Sequence, residues 1–376
     1  MLCLLLFLER QAVLRNARRV AVRVAVTGTR GKSTVTRLIA AGLKEAGLPV
    51  LAKTTGSRTA LILPDGREEE IARRGLPTIL EQKRVLRKAA ALGVRALVIE
   101  MMSIQPEYLS AESRCLLHPQ FLVISNVRLD HREEMGHTRP EIARSLAMAI
   151  RPGMTVFLLG TERHREFEIA AERTGARVIT VENPAAGSFL DEDRRLAAAV
   201  VSHLGVPEAV ALRGIGAAAA DFGSLRVWQA ELGVPPATWT LVSAFAANEP
   251  ESSGLILSHL RDGVVPNDRP LIGILNFRAD RGDRTLQWLD AHEQGFFSGF
   301  RNVYLVGAHV HSLKVRRRTS GAPPITPFPA RTPQAIMAKI IAAESDGGVV
   351  IGFGNIGGIG AALVEYWQNV GRPHAP

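Results

Sequence analysis

Cysteine is nearly absent from this chain of 376 residues, with only Cys3 and Cys115. Two thiols cannot build a disulfide framework or a cysteine-based zinc finger, and so few suit a reducing compartment. Aromatic residues are scarce, at 5%, and the basic residues are dispersed without rings between them. Single-stranded nucleic acid is gripped by stacking on rings beside cations, so nucleic acid is not an expected partner. The apolar start, Met1-Leu-Cys-Leu-Leu-Leu-Phe-Leu8, falls far short of the ~20 residues that span a bilayer. It has neither a basic segment before it nor a small-residue cleavage site after it, so a signal peptide is not expected. Arg10, Arg15, Arg18 and Arg19 follow. Residues 1–19 therefore read either as a helix packed on the domain or as the remnant of a membrane anchor with its positive charges on the cytoplasmic side.

What is present describes a folded protein. Apolar residues make up 46% and charged ones 22%, and the length suits about two domains. The net charge of +10 attracts polyanions, whether nucleic acid, anionic lipid or an acidic polymer, and composition does not choose among them.

The most legible stretch is Val22-Arg-Val-Ala-Val-Thr-Gly28-Thr29-Arg30-Gly31-Lys32-Ser33-Thr34, followed by a helical run to Ala46. A β-branched run enters a glycine-rich turn, and a helix opening on Lys-Ser leaves it. Backbone N–H groups and the helix dipole at such a terminus attract an anion, glycine admits it closely, Lys32 reaches the β and γ phosphates, and the Ser33 hydroxyl suits Mg²⁺. The loop departs from G-x-x-x-x-G-K-[ST] only in having Val26 where the first glycine falls.

Downstream, strands are expected at 49–53, 95–100, 121–125, 154–159 and 177–181, alternating with helices. This rhythm predicts a mostly parallel α/β sheet covered by helices. Thr54 and Thr55 emerge at one strand's C-terminal edge, where open α/β sheets bind ligands. Thr78 and Glu81 are spaced as a capping box, as are Thr138 and Glu141. Glu100 ends one strand as a candidate cation ligand. Asn126, Asp130 and His131 emerge from the next. Segments 225–232 and 238–245 read as a hairpin on that sheet's edge. The cluster at 266–270 is the expected boundary, giving a central ATP-binding domain over 20–266 and a smaller C-terminal α/β domain over 267–376. In the latter, Arg278, Arg281 and Arg284 would share a helix face able to hold a carboxylate or phosphate. Gly352-Phe-Gly-Asn-Ile-Gly-Gly358 matches a dinucleotide fingerprint but reads as a tight strand-to-helix turn, since no further strand is expected.

Taken in order, Thr27–Thr34, Lys53-Thr-Thr-Gly56, Glu100, Asn126-Val-Arg-Leu-Asp-His131, Ala246-Ala-Asn248-Glu-Pro-Glu-Ser-Ser253 and Arg278-Ala-Asp280-Arg281 resemble the Mur ligase superfamily. Within it the chain is similar to the poly-γ-glutamate synthetase (capsule ligase) family. The resemblance implies ATP-dependent amide-bond formation: ATP phosphorylates a carboxylate, and an amine attacks the acyl phosphate. It implies that Gly28 to Thr34 and Asn248 bind ATP, that Ser33 holds one Mg²⁺ and Glu100 with His131 a second, and that Thr54, Thr55, Arg278, Asp280 and Arg281 meet substrate. The implied substrates are glutamate and a growing polyanionic acceptor. The implied setting is the cytoplasmic face of the cell membrane beside small membrane-protein partners, with a homo-oligomer open. A nucleotide-sugar-binding domain ahead of the phosphate loop is not expected, and no lysine lies between Lys88 and Lys314 to serve as the carbamylated lysine of many Mur ligases. A folylpolyglutamate-type ligase is the nearest enzyme alternative, and a phosphate-loop NTPase acting with nucleic acid the alternative of another class.

Overall fold

A computed structural model describes the chain except residues 57–58, 74, 183–188, 220–222, 262–264, 267, 280–281, 309, 311–322, 324 and 375–376. It divides into two units, residues 1–221 and 222–376.

In the first unit the β-branched runs become β1 (Val22–Thr27), β2 (Val50–Thr54), β3 (Ala60–Ile62), β4 (Glu68–Glu70), β5 (Ala96–Glu100), β6 (Phe121–Ile124), β7 (Thr155–Leu159) and β8 (Arg177–Val181). Among the described residues these form an eight-stranded sheet ordered β4-β3-β2-β5-β1-β6-β7-β8. From β2 to β8 the neighbours run parallel, and β3 and β4 turn back as an antiparallel edge.

Parallel strands are buried on both faces, so their side chains are apolar in both directions. Ala25, Leu97 and Leu122 point into one core, and Val24, Val26, Val98 and Val123 into the other. The helices are α1 (Leu2–Arg19), α2 (Lys32–Glu45), α3 (Glu81–Ala91), α4 (Pro106–Ala111), α5 (Arg132–Met135), α6 (Arg139–Ala147), α7 (Arg165–Thr174), α8 (Phe189–His203) and α9 (Glu208–Gly216). The first core is closed by α1, α3, α4, α6 and α7, the second by α2, α8 and α9. Val35, Ile39 and Leu43 of α2 are fully buried, each contributing about 1.5–3 kcal/mol from burial, so the helix that follows the glycine turn is firmly seated.

The second unit holds β9 (Arg226–Leu232), β10 (Ala237–Ser243), β11 (Leu271–Phe277), β12 (Phe300–Gly307), β13 (Ile325–Pro327), β14 (Gly348–Gly354) and β15 (Arg372–His374), with α10 (Pro250–His259), α11 (Gly282–Glu293), α12 (Pro333–Ala343) and α13 (Ile359–Val370). Its strands order as β13-β12-β11-β14-β10-β9-β15. All neighbours are parallel except at β9, which is antiparallel to β10 and β15. Trp239, Phe245 and Trp367 lie in its core.

Four expectations change. The hairpin β9–β10 joins the second sheet through β10 and β14, so the units part near 221 and not at 266; the turn signals at 266–270 mark only the entry to β11. A further strand, β15, does follow α13 and pairs with β9. Thr78 and Glu81 make no capping box: α3 starts at Glu81 without a side-chain cap, because the Glu81 carboxylate is drawn to Lys53 and Arg73. Arg278 precedes α11, whereas Arg284 is buried within it, so the expected arginine face is not formed by them. The capping box at Thr138 and Glu141 is present.

Helices α2 and α9 approach so closely that a methyl group on Gly214 would lie 2.6 Å from the Ala41 carbonyl oxygen and 2.9 Å from Gly42 Cα. Gly214→Ala is expected to lower the urea midpoint by the equivalent of about 1–3 kcal/mol, the usual cost of overpacking. A variant as stable as the parent would show that the pair is looser than this.

Candidate functional site

The centre of the first unit is the turn between β1 and α2. Gly28 and Gly31 take φ values of 128° and 75°, which side-chain-bearing residues avoid. A methyl group on Gly28 would also meet Ser125 Oγ at 2.2 Å. Gly31 caps α2 with no side-chain hydrogen bond, so the N–H groups of the first turn are left for an anion. Lys32 Nζ donates to the carbonyls of Gly28 (2.8 Å) and Thr29 (3.3 Å), which folds the ammonium over the loop.

The segment leaving β6 clamps this turn. Asn126 Oδ1 accepts from Thr29 Oγ1 (2.7 Å) and from the Arg30 amide (3.0 Å), and the Arg128 amide donates to Thr29 Oγ1 (2.9 Å). Arg30 Nη2 pairs with Asp130 Oδ2 at 3.0 Å. Asp130 Oδ1 in turn accepts from the His131 amide at 2.9 Å. His131 adopts a left-handed backbone, φ 50°, with Nε2 3.5 Å from Asp130 Oδ2.

On the other side stands Glu100, 2% exposed, paired in register with Val26. Its Oε2 accepts from Ser33 Oγ at 2.7 Å and from the Thr55 amide at 2.6 Å. The tips of β5 and β2 and the start of α2 thus meet at one carboxylate. A hydroxyl and a carboxylate are the oxygen donors that a hard divalent cation takes alongside nucleotide phosphates, so Ser33 and Glu100 fit such an ion. Among the described residues no three His, Cys, Asp or Glu side chains gather into a metal-holding group.

A buried polar chain supports Glu100 from behind. Gln82 Nε2 donates to the Glu100 carbonyl (3.1 Å) and to Glu112 Oε1 (2.5 Å), while Gln82 Oε1 accepts from Lys53 Nζ (2.8 Å). Lys53 is fully buried and meets Glu81 Oε1 at 2.6 Å. Burial pulls the Lys53 pKa down, and Glu81 and Glu112 oppose that pull. For Glu81, burial acts to raise the pKa but the hydrogen bonds from Arg73 and Lys53 outweigh it, so the carboxyl stays ionised lower than usual. Glu112 also accepts from the amides of Met102 and Ser103.

Two more carboxyls lie near the loop, Glu162 half-buried and Asp193 buried. Glu162 Oε2 accepts from the Val127 amide at 2.9 Å, and burial pushes its pKa up to about 7. Asp193 of α8 lies so near Gly31 that a methyl group there would meet Oδ1 at 3.0 Å, and burial pushes its pKa up to about 8.

Of the residues expected from sequence, the turn Gly28–Thr34, Thr55 and Glu100 come together, and His131 is tied to the turn through Asp130. Thr54 ends β2 fully buried. Asn248 and Arg278 belong to the second unit. There Asn248 accepts from Trp288 Nε1 through its carbonyl, and Arg278 lies against the turn between β14 and α13, where a methyl group on Gly357 would meet Nη1 at 3.0 Å. Asp280 and Arg281 lie outside the described residues. Sequence reading missed Gln82, Glu112 and Asp193, and gave Lys53 a place in a motif but no role of its own. A lysine inside the apolar run of β2 was the one signal, since a charge there needs a buried partner.

Residues 26–194 match the model of the Mur ligase middle domain, and residues 231–370 match that of the poly-gamma-glutamate synthase CapB C-terminal domain. PGA synthase CapB of Bacillus subtilis (strain 168) is 32% identical over 375 residues, covering 95% of this chain and 93% of that protein. The chain belongs to the CapB poly-γ-glutamate synthase family. Capsule biosynthesis protein CapB of Bacillus anthracis is 33% identical over 291 residues, 74% of this chain and 62% of that one. In fold, this family member resembles the bifunctional folylpolyglutamate synthase/dihydrofolate synthase of Yersinia pestis solved with AMPPNP and a Mn ion, at TM-score 0.66 and 14% identity over 96% of this chain and 93% of that one. The MurF structure from Acinetobacter baumannii gives TM-score 0.67 at 15% identity, over 96% of this chain and 80% of that one.

Because its folded-state pKa is raised, Asp193 stabilises the fold fully below its ordinary pKa near 4 and loses that contribution as pH climbs through about 8. The stability of Asp193→Asn relative to wild type is therefore expected to rise between pH 5 and pH 8.5 and level off above, measured by urea unfolding. A difference independent of pH would show that Asp193 ionises normally.

Proposed function

We propose that the turn Gly28–Thr34, with Glu100 and His131, is the working centre of an ATP-dependent acid–amino-acid ligase that joins glutamate to a growing poly-γ-glutamate chain. The observation that carries this reading is the Glu100 carboxylate, shared by the Ser33 hydroxyl and the Thr55 amide beside a glycine turn whose helix is uncapped. The chain is an amide ligase by its family; the residue roles are our assignment.

The amides that open α2 bind the β and γ phosphates, and Lys32, once turned from the loop carbonyls to phosphate, neutralises charge that develops on transfer. Ser33 and Glu100 would hold a divalent cation, assigned as Mg²⁺, and His131 is assigned to a second. Bound there, such an ion would supply positive charge to offset that of the phosphates. The acceptor's terminal carboxylate attacks the γ-phosphorus, forming an acyl phosphate as ADP departs. The amine of the incoming glutamate then attacks the acyl carbon, and inorganic phosphate leaves with the amide bond formed. Thr54 and Thr55, at the strand edge beside Glu100, are assigned to substrate, as are Arg278, Asp280 and Arg281 of the second unit, and Asn248 to the nucleotide. The positive charge of the chain, +10, suits a polyanionic product. We place the enzyme at the cytoplasmic face of the membrane with small membrane-protein partners; among the described residues no helix is long and apolar enough to cross a membrane.

Purified protein given Mg-ATP and a panel of amino acids is expected to release ADP with glutamate and to yield polymer by mass. Release only with a folate-like acceptor would instead favour a folylpolyglutamate-type ligase. Lys32→Ala and Glu100→Ala are each expected to cut turnover by at least about 100-fold with the fold intact by circular dichroism. ADP release at the wild-type rate by either would remove its assigned role.

A further inference from the structure

Arginine recurs along the N-terminal edge of the first sheet, the edge opposite the glycine turn. In the strand order β5-β1-β6-β7-β8, Arg95 stands just before β5, Arg23 is second in β1, His118 precedes β6, Arg151 precedes β7 and Arg177 opens β8. The register keeps these positions nearly level, because Val22 pairs with Ala96, Val24 with Phe121, Phe121 with Thr155 and Thr155 with Arg177. Four strand-to-strand steps of about 4.8 Å make a row of ~19 Å. The segments leading into these strands, residues 20–21, 92–95, 118–120, 148–154 and 175–177, contain no Asp or Glu. Arg114, exposed in the helical turn before His118, adds a further guanidinium.

The middle of the row is a contiguous cluster. Arg23 donates through Nε to the His118 carbonyl (2.8 Å) and through Nη1 to those of Ala17 and Val20 (2.5 Å each). Arg151 Nη1 donates to the Pro119 carbonyl (3.2 Å) and Arg114 Nη2 to that of Ile150 (3.4 Å). Burial and then Arg151 pull the Arg23 pKa down to about 10, and burial and then Arg114 pull Arg151 down, so these cations stand close enough to repel one another. Burial, with Arg151 and Arg23 beside it, pushes the His118 imidazole down to about 4, so it is neutral. Among the described residues none of Arg23, Arg95, Arg114, Arg151 and Arg177 is paired with a carboxylate of the chain. Such a cluster is assembled against its own field, and an external anion relieves that repulsion. The guanidinium fork takes a carboxylate in two-pronged fashion.

The anion that fits is extended and carries its charges at intervals. A γ-linked glutamate leaves one α-carboxylate free on every repeat, and a repeat of five backbone bonds extends about 6 Å, scaled from the 3.8 Å of the three-bond α-linkage. A row of ~19 Å therefore faces about three such carboxylates. A single glutamate would meet one arginine and leave the others unpaired. The six residues of β1 put the row ~20 Å from the glycine turn, so a chain growing at the turn reaches it only after several additions. We propose that this arginine row binds the already-made, distal part of the poly-γ-glutamate chain and holds the product on the enzyme between additions. The inference rests on the ligase reading given above and adds to it a second site for the same polymer.

Fluorescence anisotropy of the full chain with labelled poly-γ-glutamate, either a long polymer or a γ-glutamyl trimer, reads this site without turnover. The long polymer is expected to bind at least about tenfold tighter than the trimer and to be released by added salt. Arg95→Gln with Arg114→Gln and Arg177→Gln, three exposed positions, should lose most of that difference with the fold intact by circular dichroism, and the same three changed to Lys should keep the salt-dependent binding. During turnover the Gln variant should make shorter polymer, yet release ADP at the wild-type rate with the trimer as acceptor, since none of the three touches the nucleotide site. Long-polymer binding unchanged in the Gln variant, or equal wild-type affinity for trimer and long polymer, would overturn the proposal and leave the ligase reading intact. No binding of the polymer, with phosphatidylglycerol vesicles bound by wild type and lost by the Gln variant, would assign the row to lipid and overturn it as well. Absence of glutamate-stimulated ADP release by wild type, with polymer still bound through the arginines, would sink the ligase reading alone.

Discussion

The Glu100 carboxylate is the constraint around which the first unit is arranged. One oxygen, buried at the end of β5, accepts a hydroxyl from the start of α2 and an amide from the end of β2. A charge in such a place is tolerated only when hydrogen bonds and an ion compensate it. The compensation comes from two other segments of chain, and so the relative positions of all three are set by it.

The second tier follows the same logic. Glu100 is steady because its carbonyl is held by Gln82, whose other contacts are Lys53 and Glu112. Lys53 in turn is neutralised by Glu81, which Arg73 shares. A network of this kind is stabilising only while every member is satisfied, so the loss of one group would be felt at Glu100. On the far side of the turn, Asn126 and Asp130 do for Thr29 and Arg30 what this network does for Glu100. The glycine turn is held from both sides before any ligand arrives, which lowers the cost of ordering it on binding.

The glycine turn and the strand-ending Glu100 were legible in the sequence because they depend on local chain chemistry: left-handed backbone demands glycine, and a β-branched run ending in an acid delivers it to a strand tip. The alternation of strand and helix was legible for the same reason, since period and turn residues act over a few positions. The capping reading of Glu81 failed because Lys53, far away in sequence, competes for its carboxylate and a buried ammonium outweighs a surface cap. The boundary near 221 was hidden because β10 finds its partner in β14, more than a hundred residues on. Asp193, Gln82 and Glu112 gave no local signal at all. Their importance arises only when folding removes water and leaves long-range neighbours to satisfy each charge, and that is decided by the tertiary structure.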